Sequence, residues 1–491
     1  MSTEILNIHF TLSVENINDE DIHSVVICEA LRLDYDTIII GAGPAGLFAA
    51  KEIAERSNKM KVLVIDMGKD VKDRVCPAMM YKACNKCSPC SIMCGMGGAG
   101  TLSSGLLNLR PDIGGNIGQL LDDDMKAWEL VKYVDDVFLG HGAPSKVYDC
   151  SQKEAEDLKR LAAAVGVQFI PIPQRHIGTD NAPKVIQCLE DTLKTLGVAF
   201  LLESRISKID EGVVTLEKGS DIQCEYLLVA PGRRGANWLA NEARRLEIPT
   251  SYQPIDIGVR VEVPAVVMDP VIQINRDPKF HIYPDTYDDF VRTFCVNHQG
   301  FVVQEVYDEF IGVNGHAMTN RLSENSNFAL LVKVELTEPL EDTTVYGRTL
   351  ALQTTTLGGG KPILQRLGDL KRGRRSTWDR INRGSLKPTL LNVTPGDVSM
   401  ALSHRILTDL VEGLEKINHV MPGISSNSTL IYAPEIKFSA NRVCTNIDLE
   451  TCVNNLFVAG DGAGLSGGLV TAAMTGVIAA RGILKKADEL S

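Results

Sequence analysis

Five of the twelve cysteines lie close together in the stretch CPAMMYKACNKCSPCSIMCGMGGAG, directly before a run of glycines. Four of them follow the spacing Cys84-x2-Cys87-x2-Cys90-x3-Cys94, which is that of the iron–sulfur run of bacterial ferredoxins. Thiolates are soft, strongly donating ligands, and they suit iron. The spacing therefore predicts a [4Fe–4S] cluster. Its fourth ligand is either Cys94 or the more distant Cys76, which precedes a proline as in ferredoxins.

Two other uses of these thiols stay open. A redox-active Cys-x-x-Cys pair such as Cys84 and Cys87 needs only two cysteines and leaves the others unexplained. Structural zinc usually takes two cysteine pairs separated by a loop, and spacers of two, two and three residues are too compressed for that arrangement. The sequence favours the cluster over the dithiol pair and over zinc or no role.

A nucleotide-binding turn precedes the cysteines. The stretch DYDTIIIGAGPAGLFAAKEIAER reads as a buried strand, a Gly-x-Gly-x-x-Gly turn and a helix. A second strand, KVLVIDMG, ends in Asp66, about 20 residues after the last glycine. The glycines permit a tight turn, the approach of a pyrophosphate and close helix packing, while Asp66 would accept hydrogen bonds from a ribose. The residues assigned to this half of the site are Gly41, Gly43, Pro44, Ala45, Gly46, Asp66 and Met67.

The C-terminal part of the chain contains a second segment with a strand, glycines and a helix. The stretch NNLFVAGDGAGLSGGLVTAAMTGVIAARGIL resembles the second FAD motif of glutathione-reductase-like flavoproteins. The resemblance implies that Asp461 binds the ribitol chain and that the helix start near Gly468 faces the flavin. The stretch CEYLLVAPGRRGANWL matches their connecting motif, and Ile206 lies where they pass the adenine. Three motifs in this order predict FAD. The residues assigned here are Ile206, Ala230, Gly232, Gly460, Asp461, Gly468 and Leu469.

The composition agrees with a cytoplasmic enzyme. A chain of 491 residues with 44% hydrophobic and 23% charged residues predicts two or three globular domains. No apolar run approaches the roughly 18 residues of a membrane span, and the start MSTEILNIHF lacks a secretory signal. A net charge of −12 disfavours general nucleic-acid binding. In a reducing compartment, clustered cysteines are metal ligands or redox groups more often than structural disulfides.

Together these segments resemble the uncharacterised FAD-dependent dehydrogenase family of microbial flavoproteins, distantly related to geranylgeranyl-reductase-like enzymes. The resemblance covers nearly the whole chain after about residue 34 and includes QRHIGTD, IDIGVRVEVP, VRTFCVNHQGFVV, VNGHA, SNFALLV, LGGGKPILQRLGDL and LIYAPEIKF. The family itself has no firmly assigned reaction. One departure is Ser103-Ser104-Gly105-Leu106, where members tend to read Ser-Asp-Gly-Lys, so this chain lacks that acid and base.

In flavoproteins of this type, the loop after the first βαβ unit runs against the isoalloxazine ring. Gly98 and Ala99 are therefore assigned to the cofactor site, since small residues let the backbone approach the flavin. By the same reasoning the thiols of Cys76, Cys84, Cys87, Cys90 and Cys94 are expected close to the redox ring, as one conduit for electrons with it.

The electron donor follows from the lack of a second strand–glycine–helix fingerprint in the sequence. Without a dedicated NAD(P)H domain, electrons would come from transiently docked NAD(P)H or from a ferredoxin, and a cluster would favour the ferredoxin. The basic stretch KPILQRLGDLKRGRRSTWDR could dock such an acidic partner or clamp a substrate anion, while a solvated loop face is slightly favoured.

The middle of the chain supplies the catalytic candidates. Strand-like patterns from 251 to 390 predict an inserted domain that holds substrate against the flavin. The flavin itself would carry hydride, so the protein needs a proton donor and an anchor. Arg292 and Cys295 of VRTFCVNHQG and His316 of VNGHA are the candidates, with Arg292 anchoring an anionic group and His316 protonating the product.

The expected fold is α/β: a glutathione-reductase-like, Rossmann-type FAD domain with an inserted mixed, mainly antiparallel β domain. The expected divisions are an extension at 1–33, FAD-domain segments at 34–250 and 391–491, and the insertion at 251–390. The expected function is an FAD-dependent oxidoreductase acting on a small or isoprenoid-like organic substrate, with the cluster relaying electrons. The alternatives are an NAD(P)H-linked thiol–disulfide oxidoreductase using Cys84 and Cys87, and a flavin electron-transfer subunit of a larger complex.

Overall fold

A computed structural model of the chain describes residues 34–57, 59–76, 87–102, 105–307, 309–317, 321–339 and 341–490. The strands are β1 Tyr35–Ile40, β2 Val62–Ile65, β3 Leu106–Asn108, β4 Val147–Tyr148, β5 Val167–Ile170, β6 Gln174–His176, β7 Ala199–Leu201, β8 Ile206–Asp210, β9 Val213–Leu216, β10 Asp221–Val229, β11 Thr250–Ser251, β12 Ile255–Pro264, β13 Lys279–Ile282, β14 Val291–Asn297, β15 Phe301–Val306, β16 Ile311–His316, β17 Asn325–Val334, β18 Ile363–Arg366, β19 Thr394–Pro395, β20 Leu430–Lys437, β21 Arg442–Val443 and β22 Leu456–Val458.

The α-helices are α1 Pro44–Arg56, α2 Ile117–Leu121, α3 Asp124–Gly140, α4 Gln152–Ala163, α5 Ala182–Thr195, α6 Ala236–Arg245, α7 Ala265–Ile272, α8 Thr343–Leu357, α9 Leu367–Leu370, α10 Trp378–Asn382, α11 His404–Val420 and α12 Leu469–Leu490. In the part of the chain that the structure describes, none of them has the length and apolar character needed to cross a membrane.

The first sheet is the Rossmann-type sheet. Its order is β7-β2-β1-β10-β9-β8, and β22 also pairs with β10. The pairs of β1 with β2 and β10, of β2 with β7, and of β10 with β22 are all parallel. The last four residues of β1, TIII, and all of β2, VLVI, are buried, because both faces of a parallel sheet are covered. The predicted FAD-domain architecture is confirmed.

The second sheet is mixed and mainly antiparallel, as the sequence predicted. Its order is β19-β18-β20-β12-β17-β14-β13-β5, and β18 with β19 is its parallel pair. The central strands β12 and β17 pair over ten residues, from Ile255↔Val334 to Pro264↔Asn325. Residues alternate along β12: Ile257, Val259 and Val261 lie in an apolar core, so the residues between them face the other side.

The predicted limits of the insertion, 251–390, are too narrow. Strand β20 pairs with β12 in the middle of the second sheet, and α11 contributes Ile406, Leu410 and Leu414 to the core beneath it. The domain therefore runs to Lys437, and it also takes in β5 from the preceding segment. The phrase LIYAPEIKF shows an apolar strand, but only long-range pairing decides which sheet it joins. The extension at 1–33 lies outside the described residues.

Two smaller sheets complete the site region. The hairpin β15–β16 pairs Phe301↔His316 at its base and Val306↔Ile311 near its tip. Strands β3 and β4 both pair with β6 in a three-stranded sheet. This small sheet contacts the second sheet, because the Gln174 side chain accepts a hydrogen bond from the Asp277 amide and donates one to the Asp277 carbonyl.

Candidate functional site

The turn between β1 and α1 has the geometry that the glycine pattern predicted. Gly41 has φ +105°, and a Cβ there would lie 2.1 Å from the carbonyl oxygen of Ala230. A Cβ on Gly46 would lie 1.9 Å from the carbonyl oxygen of Gly41. Helix α1 begins at Pro44 without a side-chain cap and without an acidic residue in its first turn. The turn therefore tolerates only glycine at these points, and its helix start is left open to an anion.

Segments far apart in the chain meet at this turn. A Cβ on Gly98 would lie 3.0 Å from the Cα of Gly43, and one on Gly460 would lie 3.2 Å from the Cβ of Ala45. The amide of Gly97 donates to the carbonyl of Ala42 over 2.7 Å. The loop that follows the cysteines and the C-terminal FAD motif therefore both pack on the turn between β1 and α1.

The same wall continues toward α12. A Cβ on Gly100 would lie 2.1 Å from Leu469 Cδ2, and one on Gly114 would lie 2.9 Å from the amide of Gly468. The amide of Gly467 donates to the carbonyl of Gly114 over 2.6 Å. We call this continuous surface the glycine wall; its segments are 41–46, 95–100, 114–115, 230–232 and 460–469. Such a backbone-lined groove, ending at two helix N-termini, fits a dinucleotide.

Asp66 stabilises the backbone around the nucleotide turn, in addition to its predicted role of binding a ribose. Its Oδ1 accepts the amides of Gly68 and Gly95, each at 2.8 Å, and its Oδ2 accepts the amide of Ala42 at 2.9 Å. The carboxylate therefore joins the end of β2 to the nucleotide turn and to the glycine run. A carboxylate offers about four acceptor positions, so one remains for a ribose hydroxyl. The neighbouring Met67 is half-buried.

Arg74 holds the loop that carries the later cysteines. Its buried guanidinium donates to the carbonyls of Ser91, Ile92 and Met96 over 2.9, 2.8 and 2.6 Å. Burial, together with the neighbouring Asp66 carboxylate and the Cys90 thiol, raises the pKa of Cys94 to about 11. Cys94 is therefore a protonated thiol at neutral pH.

The described cysteines do not support the predicted cluster. Cys84 lies outside the described residues, so any four of the five cysteines would include at least three of Cys76, Cys87, Cys90 and Cys94. Within the described ranges, no three His, Cys, Asp or Glu side chains are grouped so that they could hold a metal ion. The ferredoxin-like spacing alone does not create the geometry of a cluster.

The expected position of the thiols beside the flavin stays a prediction, but the contacts of the described part of their loop can be stated. Cys94 lies next to Gly95, whose amide binds Asp66 at the end assigned to the adenosine half. Ser88 accepts a hydrogen bond from Arg205, the neighbour of Ile206, over 3.4 Å. Only at Gly100 does the loop reach Leu469, at the end assigned to the flavin. Among the described cysteines, Cys94 therefore lies near the end of the glycine wall that is assigned to the adenosine half.

Asp461 is held at the glycine wall by two donors. Arg233 Nε donates to its Oδ2 over 3.1 Å, and Ser466 Oγ donates to its Oδ1 over 2.5 Å. The carboxylate of Asp461 raises the pKa of Arg233, and so do Glu305 and Tyr307 on the hairpin. The tip of the hairpin therefore faces the C-terminal FAD motif across the space between the two sheets, where about half of the Arg233 side chain stays accessible.

Long charged side chains cover the polar side of the second sheet. Arg292 reaches from β14 to Asp256 on β12 over 2.5 Å, and Lys279 pairs with Asp277 over 2.5 Å. Glu435 on β20 is fully buried and forms ion pairs with Arg260 and Lys437, each with an N–O distance of 3.1 Å. We call this surface the charged face; its residues are Asp256, Arg260, Asp277, Lys279, Arg292, Phe294, Glu435 and Lys437.

His281 links the charged face to the glycine wall. It pairs with Arg292 across β13 and β14. Burial, Arg292 and Lys279 lower the pKa of His281 to about 4, against an opposing effect of Asp112. Asp112 lies two residues before Gly114, which contacts Gly468. The sequence analysis missed His281, because a single histidine in KFHIYP carries no motif signal.

The three predicted catalytic residues are not brought together. Arg292 lies on the charged face. Cys295 lies at a bulge of β14 with φ +48°, where its carbonyl accepts Arg260 and Asn297, each over 2.9 Å. His316 lies at the base of the hairpin, and burial lowers its pKa. No hydrogen bond or ion pair joins these three described residues, and their catalytic roles stay predictions.

The basic stretch surrounds one buried carboxylate. Asp369 is fully buried and accepts Arg374 and Ser376 over 2.8 Å each, with Arg366 and Arg380 at 3.8 and 3.9 Å. Three guanidinium groups thus share one anion, and the surrounding loop is exposed. A positively charged outer surface results.

Two family models match parts of the chain. The model "FAD-dependent protein, C-terminal domain-like" matches residues 254–437, and the model "NAD(P)-binding Rossmann-like domain" matches residues 39–71. An uncharacterized protein of Clostridium beijerinckii is 26% identical over 510 aligned residues, which cover 97% of this chain and 87% of that protein.

Solved flavoenzyme structures are similar to the chain at low sequence identity and low TM-score. Glycine oxidase from Geobacillus kaustophilus is 14% identical with a TM-score of 0.38, over 92% of this chain and 95% of that one. Pyridoxine 4-oxidase from Mesorbium loti is 12% identical with a TM-score of 0.44, over 93% and 99%. A likeness of this degree says nothing about substrate.

The matched domains and the glycine wall together define the class of this protein: it is an FAD-dependent oxidoreductase. The limits of the first match, 254–437, coincide with the second sheet from β12 to β20. The sequence-based expectation of an FAD enzyme with an inserted β domain is thereby confirmed at the level of class.

Proposed function

We propose that the protein is an FAD-dependent dehydrogenase or reductase of a small or isoprenoid-like organic molecule, which it holds between the glycine wall and the charged face. The observation that carries the proposal is the convergence of five glycine-rich segments, from Gly41 to Leu469, at the carboxyl ends of β1, β10 and β22. In open parallel sheets, this edge is where nucleotides bind.

The residues present suit FAD. The open start of α1 would face the pyrophosphate, Asp66 would offer its remaining acceptor position to the ribose, and Asp461 would lie by the ribitol chain. The start of α12 would stabilise negative charge at the flavin's pyrimidine end. When bound, FAD would supply hydride transfer at its N5 atom.

The chain's own residues then orient the substrate and move a proton. Arg292 and its neighbours would bind and orient a polar group of the substrate on the charged face. His281 would accept a proton at a ring nitrogen, because its lowered pKa leaves it uncharged at neutral pH. The apolar residues under the charged face and the hairpin above it would limit the access of water.

The electron donor in this proposal is docked NAD(P)H or a ferredoxin. The sequence has no second dinucleotide fingerprint, which supports a transient donor. The exposed arginines of the loop beside Asp369, which are Arg372, Arg374 and Arg375, support an acidic protein donor such as a ferredoxin. Reduced ferredoxin and NADPH, added separately to the anaerobic protein, distinguish the two by the rate at which each bleaches the flavin absorbance.

The test is purification without air, followed by a visible spectrum and analysis of released cofactor, iron and sulfide. The expected result is FAD at about one molecule per chain, without stoichiometric iron, because the described cysteines are not grouped. Protein that contains no flavin contradicts the proposed function. Stoichiometric iron and sulfide with FAD would restore the cluster, and would show that the cysteine segment rearranges around the metal. Stable co-purification with a second redox protein would favour the electron-transfer subunit.

A further inference from the structure

The loop 283–290, which joins β13 to β14, ends in two residues that contact opposite sides of the second sheet. Phe290 lies on the side of the charged face and contacts His281, with ring centres 4.8 Å apart and ring planes at 70°. Asp289 faces α11 instead, where its carboxylate accepts hydrogen bonds from Arg405 over 2.5 and 2.7 Å. Because consecutive side chains of an extended chain point to opposite faces, the position of one fixes that of the other.

Helix α11 holds the rest of this loop through residues on one of its sides. Lys416 pairs with Asp285 over 2.7 Å, and Glu412 accepts the amide of Thr286 over 3.1 Å. These helix residues lie one and three turns from Arg405 to Lys416 along the same side of α11. The loop is therefore attached to α11 by polar side chains, while the sheet beneath the helix presents apolar ones.

Asp409 lies on this side of α11 and is fully buried. Within the described ranges, no amide, hydroxyl or cation donates a hydrogen bond to either of its carboxyl oxygens. The group that reaches it is the carboxyl of Asp289, with which it shares a hydrogen bond. Such a bond needs a proton on one of the two carboxyl groups, because an ionised carboxylate only accepts. We call Asp289 and Asp409 the carboxyl pair.

The surroundings of the carboxyl pair keep this proton at neutral pH. Burial, Asp289 and Glu412 raise the pKa of Asp409 to about 7, and Arg405 only partly offsets this. The hydrogen bonds from Arg405 lower the pKa of Asp289, so the proton stays on Asp409. The other neighbour is the ring of Tyr287, which lies 4.9 Å from the Arg405 guanidinium. Above about pH 7, two adjacent carboxylates share one guanidinium.

We infer that the carboxyl pair is a proton-dependent switch that holds the 283–290 loop on α11 and thereby holds Phe290 against His281. Loss of the shared proton replaces a hydrogen bond with repulsion between like charges, which is strong where water is excluded. The start of β14 then moves away from α11, and Phe290 loosens its contact with His281. This inference rests on the proposed function, in which His281 accepts a proton, and adds the regulation of that step by pH.

The experiment is NMR of the purified protein with ¹³C-labelled histidine, titrated from about pH 5 to about pH 9. The His281 signal is assigned among the nine histidines by its loss in His281→Gln. The expected result is an inflection of this signal near pH 7, because the ring of Phe290 shifts it. The pKa of His281 itself is about 4, so its own titration does not produce this inflection. A His281 signal without an inflection near pH 7 overturns the inference.

Variants assign the inflection to the carboxyl pair. Asp409→Asn keeps a hydrogen-bond donor without a titrating proton, so it should abolish the inflection and preserve the acid form of the His281 signal. Asp289→Asn removes the like charge and should move the inflection to lower pH by about one unit or more. Asp285→Asn is the matched control, an exposed carboxylate of the same loop, and should leave the inflection in place. An inflection that both Asp409→Asn and Asp289→Asn leave unchanged, with folding verified by circular dichroism, contradicts the assignment.

The two proposals fail separately, because the NMR titration needs neither substrate nor turnover. If the protein is purified without flavin and the His281 signal still has the inflection that Asp409→Asn abolishes, the proposed function fails and the switch stands. If flavin is present and the His281 signal has no inflection near pH 7, only the switch fails.

Discussion

The glycine wall and the charged face are built in opposite ways. The wall is made of backbone: where Gly41 and Gly46 lie, a single added carbon would overlap a carbonyl oxygen. The face is made of side chains, in which Arg292 and Lys437 reach across neighbouring strands. A backbone site needs specific residues at short spacing, and a side-chain site needs only that distant strands align. The first therefore leaves a motif in the sequence and the second does not.

The largest expected effect is at the glycine wall. Gly41→Val places a side chain at φ +105° and within 2.1 Å of the Ala230 carbonyl oxygen, so it should abolish nearly all flavin binding and reduce the yield of folded protein. The flavin-to-protein absorbance ratio measures this effect. Gly140→Ala is the matched control, because no atom lies within 4 Å of the added carbon, and it should retain full flavin content. A Gly41→Val protein with normal flavin content would contradict the close approach.

The next effect is at the buried end of the charged face. Arg260→Met leaves Glu435, which is fully buried, without its guanidinium partner and should reduce the free energy of unfolding by about 3–5 kcal/mol. Urea denaturation measures the loss. The double variant Arg260→Met/Glu435→Met should recover part of it, and Arg348→Met, from an exposed pair with Glu309, should cost less than about 1 kcal/mol. Equal losses in Arg260→Met and Arg348→Met would mean that burial does not distinguish the two pairs.

The smallest expected effect is a dependence of stability on pH. It concerns Asp409 on α11, which packs on the apolar side of the second sheet, opposite the charged face. Burial and the nearby Asp289 carboxylate raise the pKa of Asp409 to about 7, and Arg405 only partly offsets this. The folded state therefore prefers protonated Asp409, so stability should fall as pH rises from about 4 to 7 and stay low above it. Asp409→Asn should stabilise the protein at pH 8 by roughly 2 kcal/mol and leave it little changed at pH 4.

Thermal melts of the wild type and Asp409→Asn across this pH range measure the difference. The control is Asp285→Asn, an exposed carboxylate in a pair with Lys416, which should not alter the slope between pH 4 and 7. A wild-type slope that Asp409→Asn leaves intact would show that other groups are responsible.

Glycines that the sequence assigned to the nucleotide site from separate motifs lie together in the structure. Gly41, Gly98, Gly232 and Gly460 were assigned from separate motifs, and the structure brings all four onto the glycine wall. Each motif is short and has its own steric requirement, so each can be recognised without knowledge of the others. The order of the motifs then implies their meeting, because parallel strands place their carboxyl ends at one edge of the sheet.

The cysteine segment shows where spacing misleads. Cys90 and Cys94 have the intervals of an iron–sulfur run, but the position of their loop depends on the hydrogen bond from Gly95 to Asp66 and on the three bonds of Arg74. These contacts join residues 17 to 29 positions apart in the chain, and no local sequence pattern encodes them. The prediction that these thiols form an electron conduit with the flavin depends on where this loop lies, which the cysteine spacing alone does not give.

The amino-acid sequence by itself determined the class of the protein, because a dinucleotide turn requires glycine at a fixed spacing that is visible in the sequence. Only the tertiary structure decided which side chains lie on and beside the charged face. His281, Arg292 and Lys437 come from three different strands, and their proximity depends on the order and register of the second sheet. That order results from burying the apolar face of the sheet on α11. This requirement involves the whole domain, so no single residue or spacing in the sequence shows which strands will be neighbours.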